Sequence, residues 1–236
     1  MSYSSAYFTT RESWRDWRIE ANLLIEHARV TTNSRVLEIG CGGGGLLRML
    51  RERGALAVGV DTLNLALNLA HQRLDTDEHT LRVTQIKNKN QCLSVSISVP
   101  LIQIGEDNTL PFCDESFDAI VAQHAVEHLP DVDAALREWR RLLKPHGRIA
   151  LATPNARYPD PAHFADADHA HVFAPDELRD TVQRAGFQIE ACSTIFPFLT
   201  RFRALRALGV LAYRLFQNAP HFASHGRTIV LSARKK

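Results

Sequence analysis

The stretch VLEIGCGGGGLLRML, residues 36–50, runs from a short apolar segment into a cluster of glycines and then into a helix-forming segment. Glycine lets the backbone turn sharply and brings its N–H groups against a ligand with no side chain between them. Gly40, Gly42 and Gly45 fit the dinucleotide pattern G-x-G-x-x-G, whereas Gly40, Gly42 and Gly44 fit a G-x-G-x-G nucleoside loop. The glycines therefore predict a strand–loop–helix unit that binds a nucleoside, and they leave open which kind.

Two acidic residues narrow the choice of ligand. Glu38 lies two positions before Gly40, where its carboxylate would repel a pyrophosphate but attract a ligand with an ammonium and a sulfonium group. This favours S-adenosylmethionine over a nicotinamide dinucleotide. Asp61 ends the apolar run ALAVGVD, residues 55–61. At the carboxyl end of a second parallel strand it would accept hydrogen bonds from both ribose hydroxyls, or it would simply cap the helix that follows.

Four ordered blocks of the chain carry a family resemblance. They are the glycine loop, GEDNTLPFCDESFDAIVAQHAVEHL at 105–129, LLKPHGRIALATPN at 142–155 and DHAHVFAPDELRDTVQRAGF at 168–187. Over about residues 30–195 the chain resembles the class I S-adenosylmethionine-dependent methyltransferases of the type 11 kind, with His146 where a glycine is usual. The resemblance implies an α/β, doubly wound (Rossmann-like) fold. Its seven-stranded, mostly parallel sheet has the last strand antiparallel, between strands five and six.

The resemblance also implies a cofactor site for S-adenosylmethionine, built from the glycine loop and the ends of neighbouring strands. The expected cofactor-binding residues are Glu38, Gly40, Cys41, Gly42, Gly44, Asp61, Thr62, Glu106, Asp107 and Gln123. Glu106 stands where Asp is more usual in the family, so either Glu106 or Asp107 would bind the adenine amino group, the alternative being that both are exposed turn acids. Gln123, at the end of the fourth strand, would lie near the sulfonium.

Two histidines that follow the fourth strand are the candidate catalytic residues. Transfer from a sulfonium is a direct displacement, so alignment of the acceptor and exclusion of water supply most of the catalysis. A base is needed only where the acceptor must lose a proton, and imidazole titrates near neutral pH. His124 and His128 lie near where the methyl group should point. Glu-His-Leu recurs in the family whatever the acceptor, so a structural role explains His128 equally well.

The same histidines raise the question of a metal ion. His124-Ala-Val-Glu-His128 spells H-x-x-E-H, a zinc-protease pattern, but that pattern requires a helix and a strand end is expected here. Small-RNA 3′-end methyltransferases bind a divalent ion through Glu-x-x-Glu-His and a downstream His. Here His124 replaces the first Glu, and His169 or His171 could complete the set. Because the missing carboxylate disfavours a hard magnesium ion, no metal is expected.

Composition bounds the domain organisation and the cellular location. With 236 residues, 45% hydrophobic and 23% charged, the chain can form one α/β domain of ordinary soluble composition over residues 1–236. The amino terminus lacks signal-peptide character, and no apolar run has the length of a membrane span. The four cysteines form no C-x-x-C pair, which predicts neither a zinc site nor a disulfide framework. A cytoplasmic location is therefore expected.

Three segments extend the minimal fold. Residues 1–30 are expected to form an N-terminal helical lid, with the helix at about 11–29. Residues 75–98 alternate apolar and polar positions around a turn, which predicts an inserted β-hairpin at the sheet edge, either a surface decoration or a homodimer contact. Residues 196–226 are expected to form an acceptor-side helical insertion, whose predicted basic amphipathic helix at 198–217 suits an acceptor lid, a dimer contact or peripheral membrane contact. A lid is favoured.

The function predicted from these features and from the resemblance is methyl transfer from S-adenosylmethionine to a small, partly apolar acceptor. Residues 191–236 hold eight Lys or Arg and no Asp or Glu, which favours a polyanion such as RNA. The arginines alternate with aliphatic rather than aromatic residues, however, which argues against nucleic acid. The alternatives are methylation of RNA or protein, a non-catalytic cofactor-binding regulator and an NAD-dependent oxidoreductase.

Overall fold

The computed structural model describes residues 4–74, 83–85, 101–103, 110–158, 168–196, 208, 211 and 222–236. The helices of this part of the chain are α1 (Ser5–Glu12), α2 (Arg15–His27), α3 (Gly45–Glu52), α4 (Asn64–Leu74), α5 (Val132–Leu142), α6 (Pro175–Arg184) and α7 (Phe222–His225), with a 3-10 turn at Val126–His128. The strands are β1 (Arg35–Ile39), β2 (Leu56–Asp61), β3 (Val83–Gln85), β4 (Leu101–Gln103), β5 (Phe117–Gln123), β6 (Leu143–Pro154), β7 (Phe187–Ile195) and β8 (Thr228–Lys235).

These strands form one sheet in the order β3-β4-β2-β1-β5-β6-β8-β7. β8 runs antiparallel to both β6 and β7, and the other neighbours are parallel. The strand order reverses between β1 and β5, whose carboxyl ends lie together with Ile39 opposite Ala122. The doubly wound sheet with a last strand between the fifth and sixth of the family order is confirmed. Ligands of such sheets bind at the crevice where the order reverses.

The insertion at 75–98 adds an eighth strand to the seven expected. β3 lies at the sheet edge and pairs in parallel with β4, from Val83 opposite Leu101 to Gln85 opposite Gln103. The edge position agrees with the prediction for this segment. The rest of the predicted hairpin lies outside the described residues.

Both faces of the sheet are covered by helices, because the central strands are apolar on both sides. Neighbouring side chains of a strand point to opposite faces. Val36 of β1 belongs to a core with residues of α2, α3 and α4, whereas Leu37 belongs to the core on the other face, with residues of α5 and α6. Two layers of helices thus hold the carboxyl ends of β1, β2 and β5 in a fixed arrangement.

The N-terminal segment forms two helices where one was predicted. α1 ends at Ser13, whose hydroxyl donates to the carbonyl oxygen of Thr10 at 2.6 Å. Trp14 is extended, with ψ 141°, before α2 begins. A local side-chain bond to the backbone competes with helix continuation in this way. The break lets α1 fold over the glycine loop while α2 packs along the sheet.

Cys113 is disulfide-bonded, and its partner lies outside the described residues. Cys41 and Cys192 are free. The cysteine spacing predicted no disulfide framework and missed the single bond of Cys113, because a bond between cysteines that belong to no short motif leaves no signal in their spacing. The expected cytoplasmic location loses the support that it drew from the cysteine pattern.

Two further observations concern membranes and the basic helix. Within the described residues no helix combines the length and the apolar character needed to cross a membrane. Leu208 and Leu211, the described residues of the predicted helix at 198–217, are helical and are 59% and 52% exposed. The other residues of that helix lie outside the described part of the chain.

Candidate active site

The glycine loop has the backbone of a nucleoside loop. Gly40, Gly42 and Gly44 adopt left-handed φ angles of 66°, 51° and 78°, whereas Gly45 begins α3 with an ordinary helical backbone. A Cβ atom at Gly40 would lie 2.7 Å from Cβ of Ala125, just beyond the end of β5. The pattern used is therefore G-x-G-x-G. Glycine at position 40 lets the loop pack against the turn that follows β5.

Asp61 ties the end of β2 to this loop. Its Oδ2 accepts from the N–H of Gly42 at 2.9 Å, and its Oδ1 accepts from the N–H of Leu63 at 2.8 Å. Burial raises the pKa of Asp61, and the N–H donors of Leu63 and Gly42 partly oppose that rise. Asp61 thus caps the segment leading into α4, which is the alternative role that the sequence left open for this residue. It also lies beside the loop, as a ribose-binding residue should.

Glu38 carries a buried oxygen that has no hydrogen-bond partner among the described residues. Its side chain is 3% exposed, and Oε2 makes no hydrogen bond within the described residues. Burial raises its pKa well above the usual value, and the charges of Glu12 and Asp61 add to the rise. A buried oxygen of this kind is costly unless a donor reaches it. A cationic ligand with N–H donors, such as the ammonium group of S-adenosylmethionine, fits this requirement.

Helix α1 lies directly over the glycine loop. Arg73 of α4 donates through Nη1 to Glu12 Oε2 at 2.6 Å and to the carbonyl oxygen of Gly43 at 3.1 Å. Its Nη2 donates to Thr9 Oγ1 at 2.8 Å. A Cβ atom at Gly42 would approach the ring of Phe8 to 3.0 Å. Nothing in the sequence analysis assigned Glu12 or Arg73 to the site.

His124 is held between two buried carboxylates at the end of β5. Its Nε2 lies 2.8 Å from Oε1 of Glu20, and its Nδ1 lies 3.2 Å from Oε1 of Glu127. Glu20 is 4% exposed and Glu127 is 1% exposed. Gln123 donates from Nε2 to the same oxygen of Glu20 at 2.9 Å, and lies 3.4 Å from the carbonyl oxygen of Trp17. The end of β5 is therefore bound to α2 by polar contacts.

The charges of this group support one another against the cost of burial. Burial works to raise the pKa of Glu20, but the charge of His124 and hydrogen bonds from His124 and Gln123 outweigh it and lower the pKa to about 2. Burial works to lower the pKa of His124, but Glu20 and Glu127 outweigh it and raise the pKa. The pKa of Glu127 is lowered, because the hydrogen bond and charge of His124 exceed the effect of burial. These directions all favour an imidazolium between two carboxylates.

The family follows from a comparison with known proteins. A family model described as "Methyltransferase domain" matches residues 10–191. This protein belongs to the class I S-adenosylmethionine-dependent methyltransferases. It is an enzyme, and S-adenosylmethionine is its cofactor.

Curated relatives of the methyltransferase include enzymes named for ubiquinone biosynthesis. The ubiquinone biosynthesis O-methyltransferase of Saccharophagus degradans is 25% identical over 81% of this chain and 79% of its own length. The protein of the same name from Pseudomonas syringae is 29% identical over 73% of this chain and 72% of its own length.

Solved structures show the same fold at low sequence identity. An S-adenosylmethionine-dependent methyltransferase from Mesorhizobium loti has a TM-score of 0.64 at 17% identity, covering 95% of this chain and 99% of its own. A phosphoethanolamine N-methyltransferase of Haemonchus contortus, solved with S-adenosyl-L-methionine, has a TM-score of 0.63 at 18% identity, covering 93% of this chain and 52% of its own. At these identities the likeness concerns the fold alone.

A cluster of possible metal ligands lies beside His124 in the methyltransferase. Potential ligand atoms of Glu127, His128 and His169 lie within 4.8 Å of one another. Both oxygens of Glu127 are already engaged, Oε1 with His124 and Oε2 with the hydroxyl of Thr153 at 3.0 Å. His128 Nδ1 lies 2.9 Å from the carbonyl oxygen of Asp168. That methyl transfer requires no metal ion stays a prediction.

The remaining predicted site residues divide into three groups. Cys41 is buried in the loop, where its N–H donates to the carbonyl oxygen of Val60 at 3.0 Å and burial raises the pKa of its thiol. Thr62 is exposed at the end of β2. Glu106 and Asp107 lie outside the described residues.

Glu20 is the site residue whose signal was present in the sequence but not used. It lies three positions after Trp17 and four before Leu24, within the apolar stripe of α2. A charged residue at such a position is expected to have a partner when buried. Its partner, however, is more than a hundred positions away along the chain.

Proposed function

We propose that this methyltransferase methylates a hydroxyl group of a small, partly apolar acceptor by direct displacement. The observation that carries the proposal is the half-buried His124, fixed by Glu127 at the carboxyl edge of the sheet beside the glycine loop. The relatives named ubiquinone biosynthesis O-methyltransferase support a hydroxyl acceptor. A hydroxyl, unlike a neutral amine, must lose a proton as it is methylated, and therefore makes use of a base.

The cofactor would be held by residues of the glycine loop and the adjacent strand ends. The backbone of Gly40, Cys41, Gly42 and Gly44 would face its methionine part, and Glu38 would accept from its ammonium group. Asp61 would bind the ribose, with Thr62, Glu106 or Asp107 near the adenine and Gln123 near the sulfonium. When bound, S-adenosylmethionine supplies a methyl group on a positively charged sulfur, which keeps the electron pair of the broken bond.

His124 would accept the proton of the acceptor hydroxyl. Glu127 Oε1 lies 3.2 Å from Nδ1 and would accept its proton, which would fix the tautomer whose Nε2 can act as a base. As the new O–C bond forms, the hydroxyl proton moves to Nε2 and the imidazolium is stabilised by the Glu127 carboxylate. His128, whose Nδ1 faces the carbonyl oxygen of Asp168, would support the turn rather than carry the proton.

The segments outside the sheet would complete the acceptor site of a single domain spanning residues 1–236. α1 and α2 would act as the N-terminal lid, which is supported by their contacts to Arg73 and His124. The insertion at 196–226 would close the acceptor side, with Leu208 and Leu211 offering apolar surface. The hairpin segment 75–98 would decorate the sheet edge. A cytoplasmic location belongs to the same proposal and is tested by cell fractionation.

The proposal is tested by methyl transfer from labelled S-adenosylmethionine to a panel of acceptors. The panel contains catechols with and without an apolar tail, an amine, a carboxylate, a short RNA and a protein mixture. We expect label in the catechols, with a lower KM for the apolar ones. His124→Asn should lower kcat by about a hundredfold while leaving S-adenosylmethionine binding unchanged, because a general base contributes that much. Label in RNA, protein or amine alone, or full activity of His124→Asn, would overturn it.

A further inference from the structure

Glu20 contacts Nε2 of His124, the nitrogen through which a general base at this residue would bind its substrate. Its Oε1 lies 2.8 Å from Nε2 of His124, on the side opposite Glu127. When both carboxylates are ionised, both nitrogens carry a proton, since an ionised carboxylate only accepts hydrogen bonds. An imidazolium cannot take a proton from a hydroxyl. The arrangement in the structure is therefore one in which the base is blocked.

The block comes from the N-terminal helices rather than from the sheet. Glu20 belongs to α2, whereas His124 and Glu127 follow β5. Gln123 donates to the same oxygen of Glu20 at 2.9 Å, so the carboxylate is oriented as well as paired. Glu127 has a different support, because Thr153 of β6 donates to its second oxygen at 3.0 Å. Movement of α2 would release Nε2 and leave the Glu127 contact at Nδ1 intact.

The backbone of His124 adopts a strained conformation. Its φ is 54°, in the left-handed region that a residue other than glycine rarely adopts. Its N–H donates to the carbonyl oxygen of Ala152 at 2.8 Å, which fixes the turn to β6. Such strain persists where surrounding contacts over-determine it, and it is concentrated at functional sites. The imidazole is thus held with its Nε2 beside Glu20 of α2.

We propose that Glu20 is a positioning residue that competes with the acceptor hydroxyl for Nε2 of His124. This inference rests on the proposed function. When the hydroxyl takes the place of Glu20, the Nε2 proton leaves to water and the neutral imidazole keeps its Nδ1–H on Glu127. The acceptor proton then moves to Nε2 as the O–C bond forms and the C–S bond breaks. Glu20 pairs again with the resulting imidazolium, which favours release of the product.

Three charged groups affect the protonation of His124, and a test must separate the effect of Glu20 from the effects of the other two. Glu20 and Glu127 favour the imidazolium, and Arg11 of α1 opposes it. Glu20→Gln keeps the size and the hydrogen-bonding oxygen of the side chain but removes its charge. Glu20→Asp keeps the charge on a shorter side chain. Glu26→Gln removes an exposed carboxylate of the same helix and is the matched control.

The first measurement is an NMR titration of the histidine ring carbons in the acceptor-free protein. The His124 signal is assigned by its loss in His124→Asn. We expect Glu20→Gln to lower the pKa of His124 by at least about one unit, because a buried opposite charge is removed. Glu20→Asp should lower it less, and Glu26→Gln should leave it unchanged. A His124 pKa that is the same in Glu20→Gln and the wild type overturns the inference, and this readout requires no activity.

The second measurement is methyl transfer to a catechol as a function of pH. In Glu20→Gln the acidic limb of the kcat/KM profile should move to lower pH. At pH values below the acidic limb of the wild type, the acceptor KM of the variant should be several fold lower than that of the wild type, while kcat changes less. An unchanged profile and KM in an active Glu20→Gln enzyme overturn the inference. If the wild type transfers no methyl group to any hydroxyl, the proposed function fails instead, and the titration still reports whether Glu20 controls His124.

Discussion

Arg73 and Glu12 form an ion pair of 2.6 Å that joins α4 to α1 across the glycine loop. The same guanidinium group also donates to the carbonyl oxygen of Gly43 and to the hydroxyl of Thr9. The pair is largely shielded from water, and charge-assisted hydrogen bonds in such surroundings are stronger than exposed ones. This contact is what holds the first helix against the loop that would receive the cofactor.

Loss of this contact should speed the release of the cofactor. We expect Arg73→Met to raise the dissociation rate of S-adenosylhomocysteine by about tenfold, corresponding to the loss of one charged hydrogen bond. Stopped-flow fluorescence of the N-terminal tryptophans is the measurement. Arg184→Met, which breaks an exposed pair between α6 and Asp133 of α5, is the control and should leave the rate unchanged. Equal rates in the wild type and Arg73→Met would show that α1 does not cover the bound cofactor.

Alanine at position 40 should destabilise the fold more than alanine at position 43. At Gly40 the backbone is left-handed, and the new Cβ would meet Cβ of Ala125 at 2.7 Å. We expect Gly40→Ala to lower the free energy of unfolding by about 2 kcal/mol or more, from backbone strain and overpacking together. At Gly43 the nearest atom is the end of the flexible Arg73 side chain. Urea unfolding measures both variants, and equal losses would contradict this account of the loop.

The elements that the sequence predicted well are those whose patterns are local. β1 is recognisable in the apolar residues that precede the glycine loop, because strands buried on both faces give unbroken apolar runs. The glycine loop was recognised from spacing alone, and its φ angles decided between two patterns that spacing left open. His146 adopts a φ of 64° at the position where the family has glycine, so the backbone turn is kept without the usual residue.

The features that the sequence did not predict depend on contacts between distant segments. The pairing of Glu20 with His124 needs α2 to lie against the end of β5, which no local pattern specifies. The break between α1 and α2 depends on one side-chain bond from Ser13 to Thr10. The disulfide of Cys113 has no motif. A position for His124 at a strand end could be predicted, but its charge state could not.

Removal of divalent cations should leave methyl transfer unchanged. Glu127, the carboxylate nearest to His128 and His169, already binds His124 and Thr153 through its two oxygens. A metal ion would have to displace one of these contacts. We expect the rate to stay within about twofold after treatment with EDTA, whereas loss of a metal from a metal-dependent site costs about tenfold or more. A large loss that added magnesium or zinc restores would assign a metal to these residues.

Acid should destabilise the wild type more than it destabilises Glu20→Gln. The pKa of Glu20 is lowered to about 2 in the folded protein, from a usual value of 4.5. A group whose pKa falls on folding stabilises the fold above its unfolded pKa, and this contribution is lost as the pH falls from about 4.5 toward about 2. Between about pH 6 and about pH 3 the wild type should lose on the order of 1–2 kcal/mol more than Glu20→Gln.

Urea unfolding at the two pH values measures this difference, to which the coupled His124 and Glu127 also contribute, whereas the effects of the exposed carboxylates are common to both proteins and cancel. Glu26→Gln is the control, because its carboxylate is exposed, and it should follow the wild type. If Glu20→Gln loses as much stability as the wild type on acidification, Glu20 is not ionised against His124 in the folded protein. Glu20 would then be buried as a neutral acid that donates to Nε2 of a neutral His124, and no imidazolium would have to lose a proton before the acceptor hydroxyl takes the place of Glu20.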